Sequence, residues 1–155
     1  MKEYGFERYE VSNFALKGYE SRHNLNYWKR GEYIGVGLSA SSFMCGKRFT
    51  NTFNLDEYMK CIISGFYPAI TSEDVSGWDA KFEYVMLALR TKYGVSMTEY
   101  KQTFGNSLAE DFPNALKKTV KFLQLDGDNL RIKDEHLYVQ NTILMYFMEE
   151  PHENS

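Results

Sequence analysis

The spacing of apolar residues changes near Pro68, and that change limits what the chain can fold into. Before it, side chains alternate. Tyr9 and Val11 share one face while Glu10 and Ser12 share the other, which predicts a strand over residues 6–15. A second strand is expected over 33–44 and a short return strand over 47–52. After Pro68 the period lengthens. Phe82, Val85, Met86 and Leu89 stand at i, i+3, i+4 and i+7, predicting a helix over 79–93 ended by Gly94. Ser96 caps a second helix to 104, stopped by Gly105. A third is expected over 112–125, with Leu116, Val120 and Leu123 on one stripe. Asp126-Gly127-Asp128-Asn129 is a hairpin turn before a short strand at 130–132. A last helix is expected over 134–148, with a frayed tail from Pro151. The fold class is α+β, with two parts: 1–67, and a mostly helical, winged-helix-like 68–155.

Two short helices punctuate the first part. Ser21 is an N-cap for 22–29, ended by Gly31, and Asn54 is an N-cap for 55–64, with Gly65 beyond it. Within 33–44, Gly35 and Gly37 weaken a strand interior. They point to close approach of a ligand or another backbone on one face.

Charge is uneven. Residues 1–67 carry nine Lys/Arg against seven Asp/Glu, and residues 68–155 carry nine against fourteen. An acidic second half is a poor electrostatic partner for nucleic acid. The small patch Lys117, Lys118 and Lys121 is the feature that a winged-helix nucleic-acid or protein-binding module would use, and this is the alternative reading. The two cysteines, Cys45 and Cys61, have no short metal-type spacing and point to a reduced compartment. No apolar run is long enough to span a membrane and the N-terminus lacks a signal-peptide core, so the expected location is cytoplasmic. His136 and His152 have no second ligand nearby in sequence.

The residues with most chemical potential are His23, Asn24, Tyr27 and Trp28. An imidazole at the head of two large aromatics is ordinarily a hydrogen-bonded structural residue. It is also what a haem site uses, with iron on nitrogen and rings against the porphyrin. The spacing i, i+4, i+5 places His23, Tyr27 and Trp28 on adjoining parts of one helix face. Gly35 and Gly37 read equally as tight strand packing. Phe82, Met86, Phe104, Phe122, Tyr146 and Phe147 read as core.

His23-Asn24-x-x-Tyr27-Trp28, Tyr9-Glu10-Val11-Ser12-Asn13-Phe14-Ala15 and Gly35-Val36-Gly37-Leu38-Ser39-Ala40-Ser41 together resemble the oxygen-independent coproporphyrinogen III oxidase-like radical-SAM family. The match is to its haem-chaperone branch, which carries an HNxxYW motif. Glu83, Leu87, Leu89 and Arg90 resemble the start of that family's C-terminal domain. The resemblance implies that residues 1–67 are the last strands and helices of a partial (β/α) barrel, and that the chain is a fragment of a longer protein. It implies haem contact at His23, Asn24, Tyr27 and Trp28, with His23 the iron ligand. It implies S-adenosylmethionine near Gly35, Gly37, Ser39, Ala40 and Ser41, at the strand end where barrels place ligands. In a complete member a [4Fe–4S] cluster on a CxxxCxxC motif cleaves S-adenosylmethionine. That motif does not occur here, so no catalytic residue is assigned and the fragment alone is expected to be inactive. The expected partners are a tetrapyrrole, the rest of the barrel, and a second copy meeting its exposed edge.

Overall fold

The computed structural model describes residues 2–149. The tail from Pro151, including His152, lies outside them. Strands β1 (Phe6–Arg8) and β2 (Phe14–Leu16) form an antiparallel hairpin with Phe6 opposite Leu16. The single strand expected over 6–15 is therefore folded in two. Its middle turns back through Tyr9 N–H to Asn13 O at 3.1 Å, and Ser12 N–H donates to the Glu10 carboxylate at 3.2 Å. Long-range pairing favours the turn. Glu10 is buried in a bridge with Thr91, and Lys92 N–H donates to Tyr9 O at 3.0 Å.

Helix α1 (Arg22–Trp28) begins where expected because Ser21 Oγ accepts from Asn24 N–H. Its C-terminal turn differs. Arg30, at φ 56°, takes the left-handed position assigned to Gly31, and the Asn26 carboxamide packs where a Cβ at Gly31 would stand.

Only β3 (Ser41–Met44) of the expected 33–44 strand is a strand. The segment before it folds back over its own continuation. Tyr33 and Phe43 exchange two backbone hydrogen bonds of 2.9 Å, and Gly35 lies so close that a Cβ would overlap the Ser41 carbonyl. The glycine at 35 thus serves a backbone-on-backbone contact within the chain. Beyond it Gly37 at φ 113° and Ser39 at φ 56° complete the bend.

β4 (Lys47–Asn51) pairs antiparallel with β3 and with β5 (Ala69–Asp74), in the order β3-β4-β5. β5 has no alternating signature; its Thr71, Ser72, Glu73 and Asp74 are all exposed. It carries this sheet past residue 68. Between β4 and β5 runs α2 (Leu55–Ile63), capped by Asn54 Oδ1 as expected, with Gly65 left-handed beyond it.

The second part holds the core. α3 (Gly77–Ala88) stops five residues short of the expected 93. The Thr91 hydroxyl ends it, donating to Ala88 O at 2.9 Å and accepting from Tyr93 and Gly94 N–H. β6 (Val95–Ser96), α4 (Met97–Phe104), α5 (Leu108–Asp111) and α6 (Pro113–Thr119) follow. The expected helix 112–125 ends at Thr119. Leu123 belongs to β7 (Leu123–Asp126), and Val120 is 70% exposed rather than on a buried stripe. β7 and β8 (Asn129–Ile132) form the hairpin at Gly127, and β8 also pairs with β6. The last helix begins as a 3-10 segment, Asp134–Val139, before α7 (Gln140–Met148). Helices α3 to α7 with this three-stranded wing give the expected winged-helix-like arrangement. Val85, Leu89, Tyr100, Phe112, Ile143 and Phe147 have no exposed surface at its centre. Each such side chain contributes roughly 1.5–3 kcal/mol by leaving water.

Candidate functional site

α1 presents the motif residues in two directions. His23 and Tyr27, one turn apart, are joined by a 3.0 Å hydrogen bond between His23 Nε2 and the Tyr27 hydroxyl. Their rings meet edge to face, 4.7 Å between centroids at 83°. Tyr27 meets Tyr33 in the same way, at 4.5 Å and 74°. The His23 ring is exposed, and its Nδ1 makes no hydrogen bond among the described residues. Trp28 departs from the expected common face. Together with Leu25 and Lys29 it lines a cleft of about 250 Å³ against Tyr84, Ala88 and Glu99 of the winged part. Five residues on a helix rotate the side chain well past the His23–Tyr27 edge. Burial first, and then Glu99, push the Tyr84 hydroxyl to hold its proton far more tightly than usual. Asn24 is half-buried, and its backbone N–H serves the Ser21 cap.

Arg30 and Glu83 fix α1 to the rest. The Arg30 guanidinium donates to Val75 O at 3.0 Å, lies 4.9 Å from the Phe43 ring centroid and 3.8 Å from Glu83. Glu83 also accepts from Arg48 at 3.0 Å. Burial lowers Arg30's affinity for its proton, and Glu83 offsets part of that loss.

The second group, Gly35, Gly37, Ser39, Ala40 and Ser41, is one bend held by Asn51. The Asn51 Nδ2 donates to Gly37 O at 2.8 Å and to Gly35 O at 3.4 Å, while its backbone N–H donates to Ala40 O at 2.9 Å. Gly37 N–H donates to the Tyr58 hydroxyl at 3.2 Å, and Ser39 N–H donates to Thr52 O at 3.1 Å. Beside the bend lies a groove of about 430 Å³ lined by Ile34, Val36, Tyr58, Ile62 and Phe66. Tyr33 joins the two groups, since its ring meets Tyr27 and its backbone leads into Gly35. Sequence reasoning missed Asn51 and Tyr58; an Asn at a strand end and a Tyr in a helix carry no signal of their own.

The bend suits a ligand of the S-adenosylmethionine kind in one respect. A Cβ at Gly37 would meet nothing within 4 Å, so backbone is approachable there. The Asn51 Oδ1, by contrast, is buried without a partner. The residues present do not suit an iron–sulfur cluster. Cys45 lies exposed in the β3–β4 turn, Cys61 lies in α2, and no cluster of metal-ligating side chains occurs among the described residues.

An α+β chain with an exposed His–Tyr pair on a short helix, ahead of a winged-helix-like core, is the class defined so far. Residues 75–139 match the family model described as HemN C-terminal domain, so the chain carries that domain. The expected place among oxygen-independent coproporphyrinogen III oxidase-like proteins, and beside their haem-chaperone branch, holds. The chain is 35% identical over 117 residues to the heme chaperone HemW of Bacillus subtilis, covering 76% of this chain and 31% of that protein. It is 30% identical over 146 residues to the heme chaperone HemW of Lactococcus lactis, covering 93% of this chain and 38% of that protein. It thus spans about a third of the length of the curated relatives it matches. The fold matches the solved coproporphyrinogen III oxidase HemN of Escherichia coli, described as a radical SAM enzyme. The TM-score is 0.71 at 15% identity, over 94% of this chain and 38% of that one. No helix among the described residues is long and apolar enough to cross a membrane.

Proposed function

We propose that this chain is the haem-handling portion of a cytoplasmic haem chaperone, with His23 as the iron ligand. The observation that carries the reading is the exposed imidazole at the head of the Tyr27–Tyr33 ring row. An imidazole nitrogen at the surface takes iron, and aromatic edges beside it accept the porphyrin. Asn24 holds the start of α1 through its backbone bond to Ser21, and Trp28 lies on the side of α1 that faces the winged part. Similarity to proteins named heme chaperone HemW supports the choice of chaperone over oxidase.

In this reading residues 1–67, extended by β5, close a barrel whose other strands come from the longer protein, and 68–155 form the helical cover. Gly35, Gly37, Ser39, Ala40 and Ser41 border S-adenosylmethionine there. Chemistry on a [4Fe–4S] cluster would rest on cysteines outside this chain. The chain alone is therefore expected to give S-adenosylmethionine cleavage at background level. Nucleic acid is not a proposed partner: Lys118 and Lys121 lie over the Tyr146 and Phe122 rings, at 5.6 and 4.8 Å.

Titration of the chain with ferric haem, read in the Soret band, tests the reading. The wild type is expected to saturate with a shifted band and His23→Ala to lose that shift. Identical titrations would return His23 to a structural role.

A further inference from the structure

We propose that the Tyr27 hydroxyl is a reversible cap on the iron-binding nitrogen of His23, so that haem binds only when this hydrogen bond opens. The proposal rests on the haem reading of His23 and adds a control on the same site. The geometry is specific. The hydroxyl lies 3.0 Å from Nε2, the ring nitrogen farthest from the helix backbone. A flat macrocycle reaches Nε2 without meeting α1, whereas at Nδ1 it would collide with the His23 Cβ and the helix. Nε2 is thus the nitrogen for iron, and it is the one already taken.

The conflict holds in either tautomer. If Nε2 accepts from Tyr27, its lone pair is engaged; if Nε2 carries the proton, it donates to Tyr27 and has no lone pair to give. Binding exchanges partners: the Nε2–Fe bond forms as the iron releases an axial water, the hydrogen bond to Tyr27 breaks and the phenol turns to water; where Nε2 carried the proton, that proton passes through solvent to Nδ1, and no oxidation state changes. Tyr27 is a positioning residue here. Its ring edge still orients the imidazole at 83° while its oxygen competes with iron. Tyr33, packed 4.5 Å away, limits how far Tyr27 swings and keeps the cap close by. A side chain that lowers the fraction of competent His23 weakens apparent affinity by that fraction. This suits a carrier, which must give its cargo up.

The test is Tyr27→Phe, which keeps both ring contacts and removes the oxygen. A net hydrogen bond of ordinary strength corresponds to roughly two- to tenfold in an equilibrium. Tyr27→Phe is expected to bind ferric haem tighter and faster by that factor, with the Soret maximum unmoved. His23→Ala in parallel is expected to lose the shift. Equal or weaker binding by Tyr27→Phe, with His23→Ala still defective, overturns the cap. So does the disappearance in Tyr27→Phe of a phenolate-to-iron absorption band, which would make Tyr27 itself the ligand. If His23→Ala binds like the wild type, the haem reading fails first.

Discussion

The Asn51 carboxamide donates to the Gly37 carbonyl at 2.8 Å and so ties the end of β4 to the apex of the glycine bend. The amide orientation follows from chemistry: two carbonyls, those of Gly35 and Gly37, need the N–H side. Asn51 is 2% exposed, so nothing from solvent replaces it. Asn51→Ala is expected to cost about 1–3 kcal/mol, the usual penalty for leaving buried polar groups unpaired. Asn51→Asp, which puts oxygen against oxygen, is expected to cost more. Urea denaturation of the three proteins checks the order. A neutral Asn51→Ala would show that the bend holds itself.

Gly94 joins α3 to β6 at φ 70°, and a Cβ there would overlap the Leu130 carbonyl of the wing. Gly94→Ala is expected to lose about 1–2 kcal/mol from backbone conformation alone. The displaced wing adds to this. Thermal unfolding measures it, and Gly127→Ala serves as a comparison: it also has positive φ, but its Cβ meets nothing within 4 Å. Gly94→Ala is expected to be the worse of the two.

Much of this architecture was legible wherever one local signal sufficed. Ser21, Asn54 and Ser96 capped their helices as expected because a cap needs only the side chain and the next few N–H groups. The sequence misled where distant partners decided. Thr91 and Lys92 fold residues 6–15 into a hairpin, and no local pattern announces that contact. Tyr33 pairing with Phe43 turns an apparent strand into a bend. Thr71 to Asp74 of β5 are polar and exposed, and the strand forms because β4 offers it an edge. At the candidate site the His23–Tyr27 pairing was legible from i, i+4 spacing. The opposite aim of Trp28 was not, since it depends on Tyr84 and Ala88, more than fifty residues away.

Asp111 sets a pH dependence. Burial alone would raise its affinity for a proton, but hydrogen bonds from Lys81, Asn106 and Tyr100 outweigh this and hold it below the ordinary carboxylate range. The Lys81 contact is 2.8 Å with the Asp111 side chain 7% exposed, and Tyr100 donates at 2.8 Å. For a depressed carboxylate the stabilisation is complete above its unfolded value, near 4. It is lost as pH falls through the folded value. Asp111→Asn is expected to be clearly less stable than the wild type at pH 7, with the gap narrowing as the solution is acidified below about pH 4. Denaturation midpoints across that range check it, and a gap independent of pH would separate Asp111 from acid unfolding.

The face around the glycine bend and α2 has no cover within the described chain. Val36 is 86% exposed, Ile63 79%, Phe53 78% and Phe66 71%. Scattered apolar residues are normal on a surface, but a contiguous set marks a place meant to be covered. If the rest of the barrel covers it in longer proteins, the isolated chain offers it to a second copy, and association should rise with concentration. Ile63→Lys is the suitable probe. It lies in the last turn of α2, where a cation is favourable at the helix C-terminus, so the helix is expected to persist. Sedimentation velocity is expected to show a concentration-dependent dimer for the wild type and a shift toward monomer for Ile63→Lys, with unchanged helix content by circular dichroism. A wild type that stays monomeric at the highest soluble concentration would mean that this face needs no partner, and the proposed barrel completion would lose its physical reason.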